Sequence, residues 1–159
     1  MIILGIDPGT ATTGYGVVQK QGAALSAVVF GVIRTSSKDC APDRLARIHD
    51  AVGEILDEYS VDALATERLF FSHNETTAFG VGRTIGVVLL AAARRGIPWT
   101  EYSPVAVKQA VVGYGGAEKK QVQYMIQRIL GLRAAPTPDD AADALAVAVC
   151  HAHMIRSHT

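Results

Sequence analysis

The chain has 159 residues, of which 49% are hydrophobic and 19% charged, a composition typical of a folded globular protein. Its longest apolar run covers only residues 85–93, whereas a membrane-spanning helix needs about 20 apolar residues, and no basic leader opens the chain, so we expect neither a membrane span nor a signal peptide. The net charge is zero, which argues against a uniformly basic nucleic-acid-binding surface, and two cysteines are too few for a disulfide framework. We therefore expect a cytoplasmic protein with one domain over residues 1–159, its last few residues forming a disordered tail.

Apolar runs bounded by turn residues predict five strands, at 2–6, 14–18, 28–34, 61–66 and 97–102. Apolar residues at helical spacing predict helices over 43–59, 74–95, 118–130 and from the Thr137-Pro138 pair to about residue 153, with a short helix opened by Ser103 and broken by the glycines of 113–116. The first three strands suggest an antiparallel meander with a turn at Gln21-Gly22. The order predicts an α/β fold in which a mixed five-stranded sheet is flanked by helices.

Four acidic residues stand where strands end or helices begin. Asp7 ends the first strand and Glu67 ends the fourth, while Asp140 and Asp143 lie three residues apart at the start of the last helix. Residues at that spacing share one helix face. If strands one and four are neighbours, Asp7 and Glu67 emerge at the same edge of the sheet.

Crowded carboxylates repel one another, so a site that keeps several of them ionised needs cations. Oxygen ligands without cysteine or histidine favour Mg2+, with Mn2+ as a substitute. Two ions about 3.5–4 Å apart can activate water and stabilise both oxygens of a phosphoryl displacement. Three of the acids have a plainer interpretation when taken alone: Asp7 before Pro-Gly is suited to shaping a turn, and Asp140 and Asp143 to favouring a helix N-terminus. Their joint occurrence with Glu67 favours the metal site.

Five motifs occur in order along nearly the whole chain: Ile6-Asp7-Pro8-Gly9-Thr10; Glu67 followed by Phe70-Phe71; Val107-Lys108-Gln109; Ala117-Glu118-Lys119; and Asp140-Ala141-Ala142-Asp143-Ala144-Leu145-Ala146. The opening motif by itself is weak evidence for any one family, because members of several related families begin similarly. The ordered set resembles the RuvC-type Holliday junction resolvases.

This resemblance implies a ribonuclease H-like fold and a homodimer that binds a four-way DNA junction and makes paired, symmetric nicks during recombination and repair. It implies that Asp7, Glu67, Asp140 and Asp143 are the catalytic metal-binding carboxylates, with Mg2+ as the cofactor and two ions in each active site. Some relatives carry histidine at the position of Asp140, but the aspartate here gives no reason to assign a histidine base. A junction-binding protein and a branch-migration motor are implied as partners.

The charges are unevenly distributed, although ordinary scatter of surface charge is an alternative explanation. Residues 1–67 carry five Lys/Arg and nine Asp/Glu (net −4), residues 68–133 nine and three (net +6), and residues 134–159 one and three (net −2). A basic central third suits a protein that grips phosphate in one place and holds cations in another.

Several side chains of the central third are candidates for DNA contact. The resemblance places Lys108 and Lys119 near DNA, and Lys119 follows a glycine-rich turn from which it can balance transition-state charge. Aromatic residues beside a nuclease site can stack on an unpaired base, with a place in the core as the alternative, and the resemblance favours Phe70 over Phe71 for this role. Further candidates for phosphate contact are Lys120, Arg83 and Arg68, the last of which replaces a glutamine common among relatives.

The apolar helix segment at 87–93 is the candidate dimer interface, with burial against the sheet within one subunit as the alternative. Cys150, His151 and His153 do not suggest zinc, because side chains at positions i, i+1 and i+3 cannot all face one ion, and we expect this helix end to fray. Two rival functions remain open, a nuclease for RNA or RNA–DNA hybrids and a non-catalytic junction-binding subunit. The carboxylate set argues against the second.

Overall fold

A five-stranded mixed sheet forms the centre of the computed structural model, which describes residues 1–68 and 75–155. The strands are β1 (Ile2–Asp7), β2 (Thr12–Gln21), β3 (Ala24–Arg34), β4 (Ala63–Glu67) and β5 (Trp99–Tyr102). The helices are α1 (Ala41–Glu58), α2 (Glu75–Ala93), α3 (Pro104–Val112), α4 (Lys119–Ile129) and α5 (Asp139–Met154). The strand order is β3-β2-β1-β4-β5, antiparallel among the first three strands and parallel from β1 to β4 to β5. The predicted meander and mixed sheet are confirmed.

Helices cover both faces of the sheet, because successive residues of β1 point to opposite sides. Ile3 joins the core formed with α3, α4 and α5, whereas Leu4 and Ile6 join the core formed with α1 and α2. All three side chains are fully buried. The sheet is therefore an inner layer, and only its edges and strand ends are open to a ligand.

Two glycines allow α5 to lie directly on the sheet. A Cβ added at Gly5 in β1 would overlap the carbonyl oxygen of Ala144, and one added at Gly14 in β2 would overlap that of Asp140. Glycine permits this approach because it has no side chain to hold the helix away. The contact brings the start of α5 to the ends of the central strands.

Several element bounds differ from the prediction. The hairpin of β2 and β3 is longer at its tip, where Gln21 pairs with Ala24 around Gly22, whose φ is +61°. The tip residues are exposed and small or polar, so they carry no apolar signal, although the predicted turn is confirmed. The first helix begins two residues earlier than predicted and has Pro42 in its first turn, where a missing N–H group is tolerated.

The expectation that the end of the last helix frays is wrong. Cys150 and His151 are buried, and the Tyr102 hydroxyl lies 2.8 Å from His151 Nδ1. The Lys20 ammonium donates to the carbonyl oxygens of Ala152 and Ile155 at 2.5 and 2.8 Å, which satisfies acceptors at the helix C-terminus. Tertiary packing, which the local sequence does not encode, holds this end of α5 in place. The predicted tail, residues 156–159, lies outside the described residues.

The apolar helix α2 divides its residues between two environments. Val88, Ala91 and Ala92 are buried in the core shared with α1, so for them burial within the subunit is the correct alternative. Leu90 is 46% exposed and faces away from that core. Within residues 1–68 and 75–155, no helix combines the length and the hydrophobicity needed to cross a membrane.

Candidate active site

Asp7 and Glu67 emerge side by side at one edge of the sheet. They are the last residues of β1 and β4, which run parallel with Ile6 opposite Thr66. Parallel neighbours end at the same edge, so both carboxylates project into the space beyond it. This is the neighbouring arrangement on which the sequence prediction depended.

The start of α5 adds two more carboxylates to this edge. Asp140 lies on the first turn of α5 and Asp143 three residues later, and both are partly buried. Gly14, on which the backbone of Asp140 rests, pairs with Asp7 across β1 and β2. The packing of α5 on the sheet thus places Asp140 above the end of the strand that carries Asp7.

The electrostatics of Asp7 couples this residue to each of the other three carboxylates. Burial is the largest cause that raises the pKa of Asp7 to about 7, and the charges of Asp143, Asp140 and Glu67 raise it further, in that order. The Lys119 charge partly offsets them. Like charges within interaction range disfavour ionisation, so this is a site of stored repulsion that a bound cation would relieve.

Glu67 and Asp143 are perturbed in the same direction. Burial raises the pKa of each, and the charge of Asp143 raises that of Glu67 further. Lys108 and Lys119 act oppositely on Glu67, and Lys119 acts oppositely on Asp143. Perturbed acids gathered in a cleft are typical of a functional site.

Two short helices carry the lysines to this edge. The helix α3 begins at Ser103, whose hydroxyl accepts a hydrogen bond from the Ala106 amide at 3.1 Å, as the predicted N-cap requires. Glu118 and Gln121 form a capping box at the start of α4, which makes Lys119 the first helical residue. These caps fix where α3 and α4 begin, and so they fix the positions of the Lys108 and Lys119 side chains.

Lys119 binds two carboxylates of α5. Its Nζ lies 3.0 Å from Asp143 Oδ2 and 3.2 Å from Asp139 Oδ2. The other Asp139 oxygen, Oδ1, accepts a hydrogen bond from Gln123 Nε2 at 3.0 Å. Burial lowers the pKa of Lys119, but its hydrogen bonds to Asp143 and Asp139, together with the charges of these two carboxylates, raise it above its ordinary value. Sequence reasoning missed Asp139 and Gln123, although Asp139 lies four residues before Asp143 on the same helix face.

A cavity of about 300 Å³ lies among these groups. Its lining residues come from β4, the start of α3, α4 and α5: Glu67, Pro104, Val107, Lys108, Lys119, Val122, Asp143 and Ala146. The lining thus combines two acidic, two basic and four apolar residues. A phosphodiester fits this combination, because its charge complements the lysines while a cation bound to the acids neutralises their charge.

The donor set fits a hard divalent cation. The four acids supply carboxylate oxygens, the ligands that Mg2+ and Mn2+ prefer. Among the described residues, no group of three or more His, Cys, Asp or Glu side chains is arranged so that it could hold a metal ion as it stands, so the fit rests on the chemistry of the donors. The Lys119 ammonium is itself a cation held against Asp143, which shows that positive charge is stabilised at this position.

The other residues predicted to contact DNA do not line this cavity or lie outside the described residues. Arg68 follows Glu67, and its Nε donates to Glu101 Oε2 at 3.0 Å on the neighbouring strand. Lys120 and Arg83 are exposed on α4 and α2, and neither lines the cavity. Phe70 and Phe71 lie outside the described residues.

Comparison with known proteins decides the family. The family described as "Crossover junction endodeoxyribonuclease RuvC" matches residues 3–151. The Syntrophomonas wolfei protein of that name is 53% identical over 156 residues, 98% of this chain and 91% of the relative. The chain belongs to the RuvC family. The nuclease class expected from the ordered motifs is therefore confirmed.

Solved RuvC structures agree with this assignment. The Thermus thermophilus RuvC structure has a TM-score of 0.89 at 42% identity and covers 96% of this chain and 94% of its own. The structure of T. thermophilus RuvC in complex with Holliday junction substrate has a TM-score of 0.89 at 40% identity, with the same coverage. The predicted ribonuclease H-like α/β fold is confirmed by the match.

Proposed function

We propose that this chain resolves Holliday junctions by metal-dependent hydrolysis at a single carboxylate cluster, formed by Asp7, Glu67, Asp140 and Asp143. The observation that carries the proposal is the convergence of these acids, from two strand ends and one helix start, at one edge of the sheet. Membership of a family of crossover junction endodeoxyribonucleases supports the substrate. We further propose that residues 1–159 act as one nuclease domain, and that the enzyme works in the cytoplasm.

The proposed cofactor is Mg2+, with Mn2+ as a substitute and two ions in each active site. When bound, the ions would supply an activated water and neutralise charge on the phosphate. The four acids would hold them, and their mutual repulsion supports this role because cation binding removes it. Asp7 has to lose its proton to act as a ligand, so metal uptake near pH 7 should release protons.

The two cavity lysines are proposed to act on the phosphate. Lys119 is the first residue of α4, and its side chain extends to Asp143. Lys108 is close enough to Glu67 for its charge to lower the pKa of that acid. A fixed ammonium beside the scissile phosphate would stabilise the charge that develops during hydrolysis. Lys119 is therefore proposed as a catalytic residue and Lys108 as a DNA-binding residue.

The remaining DNA contacts stay predictions. Arg68, Arg83 and Lys120 are exposed and suited to backbone phosphates, although Arg68 already pairs with Glu101. Phe70 and Phe71 are proposed to meet an unpaired base, Phe70 by stacking on it. A junction-binding protein and a branch-migration motor are the predicted protein partners.

We propose a homodimer formed through the outward face of α2. Phe79 and Leu90 on this face are 70% and 46% exposed. Between them lie Gly82 and Gly86, around which the structure leaves open space, so a second backbone can approach closely. A two-fold dimer would present two active sites to opposed strands of a junction that has near two-fold symmetry.

Cleavage of matched synthetic substrates tests this function. A four-way DNA junction, a linear duplex and an RNA–DNA hybrid are each incubated with the protein and either Mg2+ or Ca2+, and the product ends are mapped. We expect paired symmetric nicks in the junction with Mg2+, and little cleavage with Ca2+ because its larger, more flexible coordination suits this chemistry poorly. Preferential cleavage of the hybrid would contradict the proposal, and binding of the junction without cleavage in Mg2+ would favour a non-catalytic subunit.

A further inference from the structure

The ammonium of Lys119 is shared between two carboxylates that differ in their surroundings. Asp143 Oδ2, at 3.0 Å, belongs to the half-buried cluster proposed to hold metal. Asp139 Oδ2, at 3.2 Å, belongs to an exposed side chain one turn earlier on α5. When a cation binds Asp143, it competes with Lys119 for the same oxygen, so the lysine needs another partner if it is to stay beside the site.

The other oxygen of Asp139 is held by α4. Gln123, one turn after Lys119, donates from Nε2 to Asp139 Oδ1 at 3.0 Å. Residues at that spacing share a helix face, so α4 presents both side chains to one carboxylate. Asp139 also occupies the first position of α5, where the helix N-terminus favours a negative charge. The Asp139 carboxylate is thus oriented by contacts that do not involve the four proposed metal ligands.

We propose that Asp139, oriented by Gln123, is a positioning residue that provides an alternative partner for the Lys119 ammonium and so frees Asp143 for metal. The inference rests on the proposed function, because it takes Asp143 as a metal ligand. Without Asp139, only Asp143 is left of the two carboxylates that Lys119 contacts. The ammonium then stays on Asp143 and opposes the binding of a cation to that carboxylate. With Asp139, which its Nζ already contacts at 3.2 Å, the ammonium keeps a carboxylate partner beside the site when a cation occupies Asp143.

The first test measures Mn2+ binding to the DNA-free protein, by the loss of the free-ion electron paramagnetic resonance signal. We expect Asp139→Asn to weaken Mn2+ binding by about tenfold, the lower range for partners that orient metal ligands. Gln123→Leu should also weaken Mn2+ binding, although this substitution changes no charge. Asp139→Glu should restore much of the affinity, while Glu54→Gln, an exposed carboxylate on α1, should leave it unchanged.

A double-mutant cycle separates positioning from the simple loss of a negative charge. In a Lys119→Met background there is no ammonium to reposition, so Asp139→Asn should lose most of its effect on Mn2+ affinity. Lys119→Met alone should tighten Mn2+ binding yet slow junction cleavage at saturating substrate. Circular dichroism and thermal melts verify that each variant folds.

Two results would overturn the inference: an unchanged Mn2+ affinity in Asp139→Asn, or an equal loss with and without Lys119. Either leaves the proposed function intact if Asp7→Asn still abolishes both Mn2+ binding and cleavage. If Asp7→Asn binds Mn2+ and cuts like the wild type, the proposed function itself fails. The two failures are therefore distinguishable.

Discussion

Asp7 is the residue at which a charge needed for metal binding is most costly to the folded state. Its carboxylate is largely buried at the end of β1 and faces three other acids, and its pKa is raised to about 7 from an ordinary value of 3.8. The folded protein therefore binds a proton at Asp7 more tightly than the unfolded chain does. Stability falls as the pH rises from about 4 to 7 through this group, because the unfolded chain ionises without cost and the folded site does not.

This argument predicts that Asp7→Asn stabilises the metal-free protein at pH 8. We expect a gain in unfolding free energy on the order of 1–4 kcal/mol at pH 8 that shrinks toward pH 4, where Asp7 is protonated in the folded state. Urea unfolding at both pH values, without divalent metal, measures it. Glu54→Gln should give little change at either pH, and equal stability of the wild type and Asp7→Asn at pH 8 would show that Asp7 is not strained.

Asp139 and Lys119 show where reasoning from single residues stops. The four clustered acids could be proposed from the sequence because each stands at a strand end or a helix start. The pairing of Lys119 with Asp139 depends on how α4 packs beside α5, which no local pattern encodes. His151 illustrates the same limit, since its contact with Tyr102 joins a helix end to a strand that lies far away in sequence.

The helices and strands were predictable where apolar residues enter the core and less so where they do not. The central strands β1 and β4 are almost wholly buried, and their apolar runs gave their positions to within two residues. The turn between β2 and β3 was predicted, but the strand residues next to it were not, because backbone pairing and not side-chain burial holds them. The apolar segment at 87–93 was predicted to face a partner or the sheet as a whole, but the residues of α2 separate into a face packed in the core with α1 and an outward face with Phe79 and Leu90.

The outward face of α2 leads to a prediction about assembly. Leu90→Glu places a charge in the proposed interface, where burial without a partner is costly, so the protein should shift from dimer to monomer. Sedimentation velocity at micromolar concentration measures the shift, with Ala46→Glu on the exposed surface of α1 as the control. A wild type that sediments as a monomer would contradict this interface, as would a Leu90→Glu dimer as stable as the wild type.

Taken as a whole, the molecule combines zero net charge with a local separation of charge. The acidic first segment contributes Asp7 and Glu67, while the basic middle segment contributes Lys108 and Lys119, which border the same cavity as Glu67. Binding to plain duplex should therefore be weak and should fall with salt, because few phosphates are neutralised and each contact releases counterions. Selectivity would then come from the shape of the junction and from the symmetry of a dimer that matches it.

Junction cleavage by Asp7→Asn, compared with the wild type and Glu54→Gln, decides whether the carboxylate cluster performs the hydrolysis. In Mg2+, the wild type and Glu54→Gln should nick a synthetic four-way junction symmetrically, while Asp7→Asn should bind the junction with similar affinity and leave its strands intact. Because the substitution keeps the shape of the side chain and removes only its charge, lost cleavage with retained binding identifies a metal ligand. Cleavage by Asp7→Asn at the wild-type rate would contradict the assignment of this site.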